Sequence, residues 1–147
     1  MAARLGASRH AERETSLLQH VSAPLTFIAR ALMAGMFIHE GYGKITDYSD
    51  TIDYMQSFGV NGHLLPLVIV TELGGGLMIL LGFGTRLAAI ALAGFSLLAA
   101  AFFHTNFADA MEAIHFQKDV TIAGGFLILA LAGPGAWSID AWRWHRA

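Results

Sequence analysis

The chain has 147 residues, of which 55% are hydrophobic and 14% charged, and its mean hydropathy is +0.53. Soluble domains carry about 25% charged residues, so this is the composition of a membrane protein, and one domain is the expectation at this length. A formal net charge of −2 with no basic block offers nucleic acid nothing to bind, and the absence of cysteine excludes disulfide exchange, thiolate metal sites and iron–sulfur ligation by this chain's own residues.

Residues 1–23 are polar and carry Arg4, Arg9 and Arg13 beside Glu12 and Glu14. They lack the apolar core of a secretory signal and read as a cytosolic tail, helical in part or disordered. A spanning helix needs roughly 20 mostly apolar residues, with a range of about 17–25. Four segments qualify: 25–44, with Ser22 and Pro24 as start signals; 64–83; 87–103; and 120–132, closed by Gly133-Pro134-Gly135. Only Gly84-Thr85-Arg86 joins the second to the third, so those two are antiparallel neighbours. The predicted fold is an all-α membrane protein, a four-transmembrane-helix bundle. The tail occupies 1–23, the bundle 24–136 and a Trp-rich interfacial segment 137–147.

Basic residues set the orientation. Arg4, Arg9, Arg13, Arg86, Arg143 and Arg146 fall on one side of a four-span arrangement, whereas the other side holds Lys44 and Lys118 among several acids. The positive-inside rule then places both termini in the cytosol. Trp137, Trp142 and Trp144 suit the membrane–water boundary, and Ser138 and Asp140 suit the start of a short interfacial helix. In the outward links, Tyr48, Ile52 and Met55 share a helical face, as do Phe107, Met111 and Ile114. Short helices lying on the membrane explain both patterns, with plain loops as the alternative.

Glu72 is the one carboxylate in the second span and is followed by Gly74, Gly75 and Gly76. Intramembrane acids are costly and mark functional sites; the competing reading is a structural ion pair with a basic residue of a neighbouring helix. Counted at about 1.5 Å per residue, Glu72 lies on the order of 12 Å below the outer boundary, His39 about 8 Å and Arg30 about 21 Å. Arg30, Phe37, Gly41 and Lys44 share a helical stripe with His39 opposite. Arg30 is therefore expected to face inward, toward Glu72 or the cytosol, and His39 to lie nearer an interface. Glu40 and Lys44, four apart, are expected to pair. His63, His104, His115, Lys118 and Asp119 gather at the outer ends. The candidate polar site comprises Arg30, His39, Lys44, Glu72, His104 and Lys118, with Gly41, Gly75 and Gly76 either packing helices closely or admitting a ligand. A metal or haem site built from His39, His104 and Glu72 has no ligand-spacing motif behind it, and no metal is expected. No Ser/His/Asp arrangement, G-x-G-x-x-G or P-loop is present.

Several short motifs occur in a specific order: Arg30, then Gly41-Tyr42-Gly43-Lys44-Ile45, Glu72-Leu73-Gly74-Gly75-Gly76-Leu77, Gly82-Phe83-Gly84-Thr85-Arg86, Lys118, and Gly133-Pro134-Gly135-Ala136-Trp137-Ser138-Ile139-Asp140. Over about residues 25–140 the chain resembles the DoxX family. The resemblance implies a four-helix bundle of the cell inner membrane and an association with redox enzymes, in some members with quinone-linked sulfur oxidation. Branches that handle thiols depend on cysteines missing here. The leading expectation is an oxidoreductase subunit that binds quinone or a similar apolar ring molecule. In it Glu72 exchanges the proton, Arg30 and Lys118 steady a reduced oxygen, and a soluble redox enzyme supplies electrons. A non-catalytic scaffold for such an enzyme comes second. Small-solute or proton transport, which in so short a chain calls for a homo-oligomer, comes third. The lipid bilayer is the partner common to all three.

Overall fold

The computed structural model describes residues 2–144, with side chains from residue 21 onward. The side chains of Arg4, Arg9, Arg13, Glu12, Glu14 and Arg146, and the last three residues of the Trp-rich segment, thus lie outside what is described. Among the described residues there is helix and no strand, and four helices are long and apolar enough to cross a membrane: Val21–Thr46, Gly62–Leu81, Thr85–Phe103 and Ala110–Ala132.

The first span is the distal part of one helix, Ala2–Thr46. Ser22 and Pro24 do not start it. Pro24 lies inside, where it removes one backbone donor without ending the helix. At about 1.5 Å per residue the helix extends about 68 Å, more than twice the roughly 30 Å of a hydrocarbon core. Its amino-terminal part therefore extends beyond the span. A short helix, Tyr48–Ser57, follows across the far end of the bundle, the end opposite the termini. It matches the expectation for the first outward link.

The second span is irregular. Asn61 caps a 3-10 turn, Gly62–Leu64, by accepting the His63 N–H (2.9 Å), and an α-helical stretch, Leu65–Ile69, begins with Pro66 near its start. The chain then widens into a π turn, Val70–Gly74, before resuming as α-helix at Gly75–Leu81. Glu72 sits at the centre of that turn. Gly82 (φ +68°) and Gly84 (φ +56°) close a tight reversal into the third span, since both positions need the left-handed backbone that glycine adopts without strain.

The fourth span differs from expectation. It starts at Ala110, ten residues before the predicted 120, because Asp109 accepts the Met111 N–H (2.8 Å) and caps it there. Met111 and Ile114 therefore occupy its first turns and not a separate helix of the second link. A six-residue helix, Ile139–Trp144, ends the described chain.

The first span packs on the second, and the third on the fourth. The third also packs on the Val70–Leu81 part of the second, close to their connecting turn. Lipid provides no hydrophobic drive between spans, so close approach depends on small side chains and dispersion. Ala34, Ala88, Ala89, Ala93 and Ala123 supply it around Phe37, Ile79, Leu92 and Phe126, with the Phe37 and Phe126 rings edge to face at 5.2 Å. This core lies on the termini side of Glu72.

Candidate functional site

Two polar clusters flank that core. The one at the termini end is a clasp. Arg30 is 1% exposed; its Nη1 donates to the carbonyls of Ile79 (3.1 Å) and Leu80 (3.5 Å), and its Nη2 donates to the Trp137 carbonyl. A cation among the last carbonyls of the second span satisfies acceptors that the helix leaves open and opposes its dipole. The guanidinium also lies 5.8 Å from the centre of the Phe27 ring. Gly82 is required here twice over: its φ is positive, and a Cβ would collide with Arg30 Nη1 and with Ser138.

Asp140 completes the clasp. Its carboxylate accepts the Gly84 N–H (2.9 Å), the Thr85 N–H (3.0 Å) and the Thr85 hydroxyl (3.2 Å), while its own N–H donates to the Gly82 carbonyl (2.9 Å). It thus caps the third span from the carboxyl-terminal segment, where Ser138 Oγ accepts the Ala141 N–H (3.1 Å). Burial pushes the Asp140 carboxyl up. The Thr85 and Gly84 N–H groups, the Thr85 hydroxyl and the Arg143 charge outweigh burial and leave it below its ordinary value. A carboxyl depressed in the folded state stabilises above its unfolded pKa of about 3.9, and that stabilisation disappears as pH falls through the folded value. Thermal melts in detergent between neutral and strongly acidic pH should show this decline in wild type and a flatter profile in Asp140→Asn.

The second cluster lies in the far half, around a cavity of about 480 Å³. Phe37, Val68, Phe95, Leu98, Ala99, Phe102 and Phe103 form apolar walls; Lys44, Glu72, His104, His115, Lys118 and Asp119 supply polar groups. The volume falls within the roughly 300–1,000 Å³ of small-molecule sites, with apolar walls on one part of the lining and a dense set of ionisable groups on the other. Glu72 is 5% exposed. Lys44 donates to its Oε1 (3.1 Å) and lies 2.9 Å from Oε2; apart from that ion pair, Oε2 has no hydrogen-bond partner among the described residues. Lys44 also reaches Glu40, at the longer distance of 3.5 Å. The expected Glu40–Lys44 pair therefore exists, but the shorter contact belongs to Glu72. The π turn that carries Glu72 is a type of helix defect found frequently at functional sites.

At the cavity mouth, His104 Nδ1 lies 2.8 Å from Glu112 Oε2 and its Nε2 lies 3.8 Å from Asp119. The His104 and His115 rings stack at 5.1 Å, and Lys118 Nζ donates to His115 Nδ1 (3.2 Å). Tyr54 of the Tyr48–Ser57 helix stacks on Phe103 at 5.5 Å, with Phe58 against both rings, and so closes that side of the mouth. Burial and then the Glu112 charge push the Tyr54 hydroxyl up, so it stays protonated.

Of the residues chosen from sequence, Lys44, Glu72, His104 and Lys118 therefore meet at one cavity. Arg30 does face inward, but it binds carbonyls at the opposite end and not Glu72. His39 is exposed and borders a shallow depression with Glu40, Gly43 and Asp47. Gly41, Gly75 and Gly76 line no part of the cavity. A Cβ at Gly41 would lie 2.8 Å from the Leu73 backbone nitrogen, at Gly76 2.9 Å from Ile38 and at Gly75 3.1 Å from Leu92, so these glycines bring helices together. Glu112 and Tyr54 belong to the cluster without having been singled out, and His115 and Asp119, noted only as gathering at the outer ends, belong to it as well. Residues 112, 115 and 119 share one helical face, a signal readable once the fourth span is extended to Ala110. Glu112 and His115 also stand at a spacing used in metal-binding helices, yet among the described residues no group of three or more His, Asp or Glu is placed to hold a metal ion.

A model of the DoxX family aligns with residues 25–105. The chain belongs to the DoxX family. Inner membrane protein YqjF of Escherichia coli (strain K12) is 56% identical to it over 113 residues, covering 77% of this chain and 87% of that protein. Inner membrane protein YphA of the same strain is 37% identical over 123 residues, covering 79% of this chain and 88% of that protein. No solved structure matches. The DoxX match includes Arg30, Lys44, Glu72 and the Gly82–Thr85 turn, and it ends before the fourth span that brings His115 and Asp119 to the cavity.

Proposed function

We propose that this DoxX-family chain is a multi-pass protein of the inner membrane, with both termini cytosolic, whose cavity binds a quinone or a similar apolar ring molecule as the membrane part of a redox system. The observation that carries the reading is the Lys44–Glu72 pair set into an aromatic-walled cavity, with Lys44 the one partner of Glu72 Oε2 among the described residues. The inner-membrane assignment rests on the two Escherichia coli relatives together with the four apolar helices. Interconversion of a quinone and its reduced form takes up and releases protons along with electrons, so its site needs acid–base groups beside an apolar slot. Here Lys44 offers a cation to a ring oxygen, Glu72 a proton acceptor and donor, and Phe37, Phe95 and Phe103 flat surfaces. Electrons come from a partner, a soluble redox enzyme docked at the membrane.

Native mass spectrometry with quinone extraction, on protein purified in mild detergent, tests this. Wild type is expected to retain a stoichiometric ring compound, and Glu72→Gln to lose at least about tenfold of it, since a hydrogen bond to a charged group contributes roughly 1.5–3 kcal/mol. Equal retention by a folded Glu72→Gln protein removes the site. Wild type that carries no small molecule but a constant co-purifying polypeptide makes the chain a membrane scaffold instead.

A further inference from the structure

The ionisable groups around the cavity are not spread evenly about Glu72. The first span faces it with Lys44 and Glu40. The fourth brings His115, Lys118 and Asp119, the end of the third brings His104, and the link helix brings Tyr54. All lie level with Glu72 or farther toward the far end. In that direction His104 stands between Glu112, which is partly exposed, and Asp119, which is 8% exposed and lines the cavity. The cavity that continues to Glu72 has polar groups on both walls and room for several hydrogen-bonded waters.

Toward the termini the picture reverses. Ala34, Phe37, Ile79, Leu92 and Phe126 are each 3% exposed or less and close the bundle below Glu72. The next charged group along that direction, among the described residues, is Arg30, which is bound to carbonyls. A proton has a chain of carriers on one side of Glu72 and a packed apolar plug on the other.

We propose that Glu72 exchanges protons with the aqueous phase at the far end alone, through the cavity, with His104 passing the proton between Asp119 and Glu112 at its mouth. In the neutral ring, Nδ1–H donates to the Glu112 carboxylate and the Nε2 lone pair is free. On the outward step, the Asp119 O–H bond breaks as Nε2–H forms, and Nδ1–H breaks as the Glu112 O–H forms; Glu112 then releases the proton to water. Inward transfer is the reverse. The 3.8 Å between Nε2 and Asp119 is bridged by a small side-chain rotation or one water. This connectivity does not depend on what the cavity binds.

Sided labelling tests it. The full chain carrying Asn106→Cys, in an otherwise cysteine-free background, is reconstituted in sealed phosphatidylethanolamine–phosphatidylglycerol vesicles. A membrane-impermeant maleimide tags the molecules whose far end faces out. The outside is made acidic with the inside buffered near neutral, and dicyclohexylcarbodiimide, an apolar reagent for protonated carboxyls, is added. Mass spectrometry then reads the Glu72 product, including its amide with Lys44. A several-fold rise confined to tagged molecules is expected. A rise in untagged molecules, an equal rise in both, or no product with both sides acidic overturns the proposal. The role of His104 is read separately, by infrared spectroscopy after a photoreleased proton pulse, on the carboxyl band that Glu72→Gln removes. His104→Phe is expected to slow that band at least about tenfold while keeping its final amplitude. An unchanged rate excludes His104 as the carrier. Neither readout requires a ring molecule, so failure here is distinct from failure of the ligand test above.

Discussion

Arg30→Ala is expected to destabilise the protein by on the order of 2–5 kcal/mol, because carbonyls lose a charged donor and a large buried side chain leaves a void. The substitution strips the Leu80 and Trp137 carbonyls of their Arg30 donor at part-buried positions and leaves the buried Ile79 carbonyl with the Gly82 N–H, and a buried acceptor left unsatisfied costs about 1–3 kcal/mol. It also releases the carboxyl-terminal segment from the turn between the second and third spans, leaving Asp140 to hold that junction through Gly84 and Thr85. Thermal unfolding in detergent, followed by size exclusion, should show a much lower midpoint, with Trp137 moved to a more polar setting. Arg30→Lys should fall between. A single compact ammonium keeps the charge but cannot donate at once to carbonyls on two segments. Because the clasp lies at the opposite end from the cavity, folded Arg30→Lys protein should retain whatever the cavity binds. Loss of ligand from that variant with stability preserved would contradict the separation of the two clusters.

A second large effect is expected at the ion pair, and it is non-additive. Lys44→Met leaves Glu72 buried and alone, at a cost of about 3–5 kcal/mol if the carboxyl stays charged, less if it takes up a proton. Lys44→Met combined with Glu72→Leu removes both charges and should recover most of that stability, because an apolar pair suits a half-buried membrane position at least as well. A double-mutant cycle of unfolding free energies at neutral pH measures the coupling directly. Strictly additive losses would mean that Lys44 serves Glu40, its more exposed partner, and not Glu72. If the double variant is as stable as wild type yet binds no ligand, the pair is retained for function at no structural benefit.

The helical spans were legible because length and apolarity are summed locally. Any run of roughly 20 apolar residues must satisfy its own backbone in lipid, and only a helix does that. Boundaries were less legible. The fourth span extends past Lys118 and Asp119 to Ala110 because Asp109 caps it, and three of its polar residues, His115, Lys118 and Asp119, line a cavity, a condition no hydropathy window registers. Pro24 looked like a helix start, yet the backbone continues through it, since one missing donor does not end a long helix.

Within the candidate site, the presence of an intramembrane acid was plain from Glu72 alone, but its partner was not. Depth counted at a constant rise left Glu72 between His39 and Arg30. The π turn at Val70–Gly74 and the close approach at Gly41 and Gly76 then set the rotation that turns it to Lys44. Arg30 was rightly placed facing inward, but the acceptors it reaches are backbone carbonyls, which carry no sequence signature. By itself, then, the sequence determined an all-helical, four-span chain of the DoxX family with a costly acid inside it, because those properties follow from local composition and motif order. Only the tertiary structure decided that the Gly82–Thr85 turn and the Trp137–Asp140 segment form one clasp around Arg30, and that Lys44, Glu72, His104 and Asp119 border one cavity. Those contacts join residues tens of positions apart, and they depend on how each helix is rotated against its neighbours, which no single helix encodes.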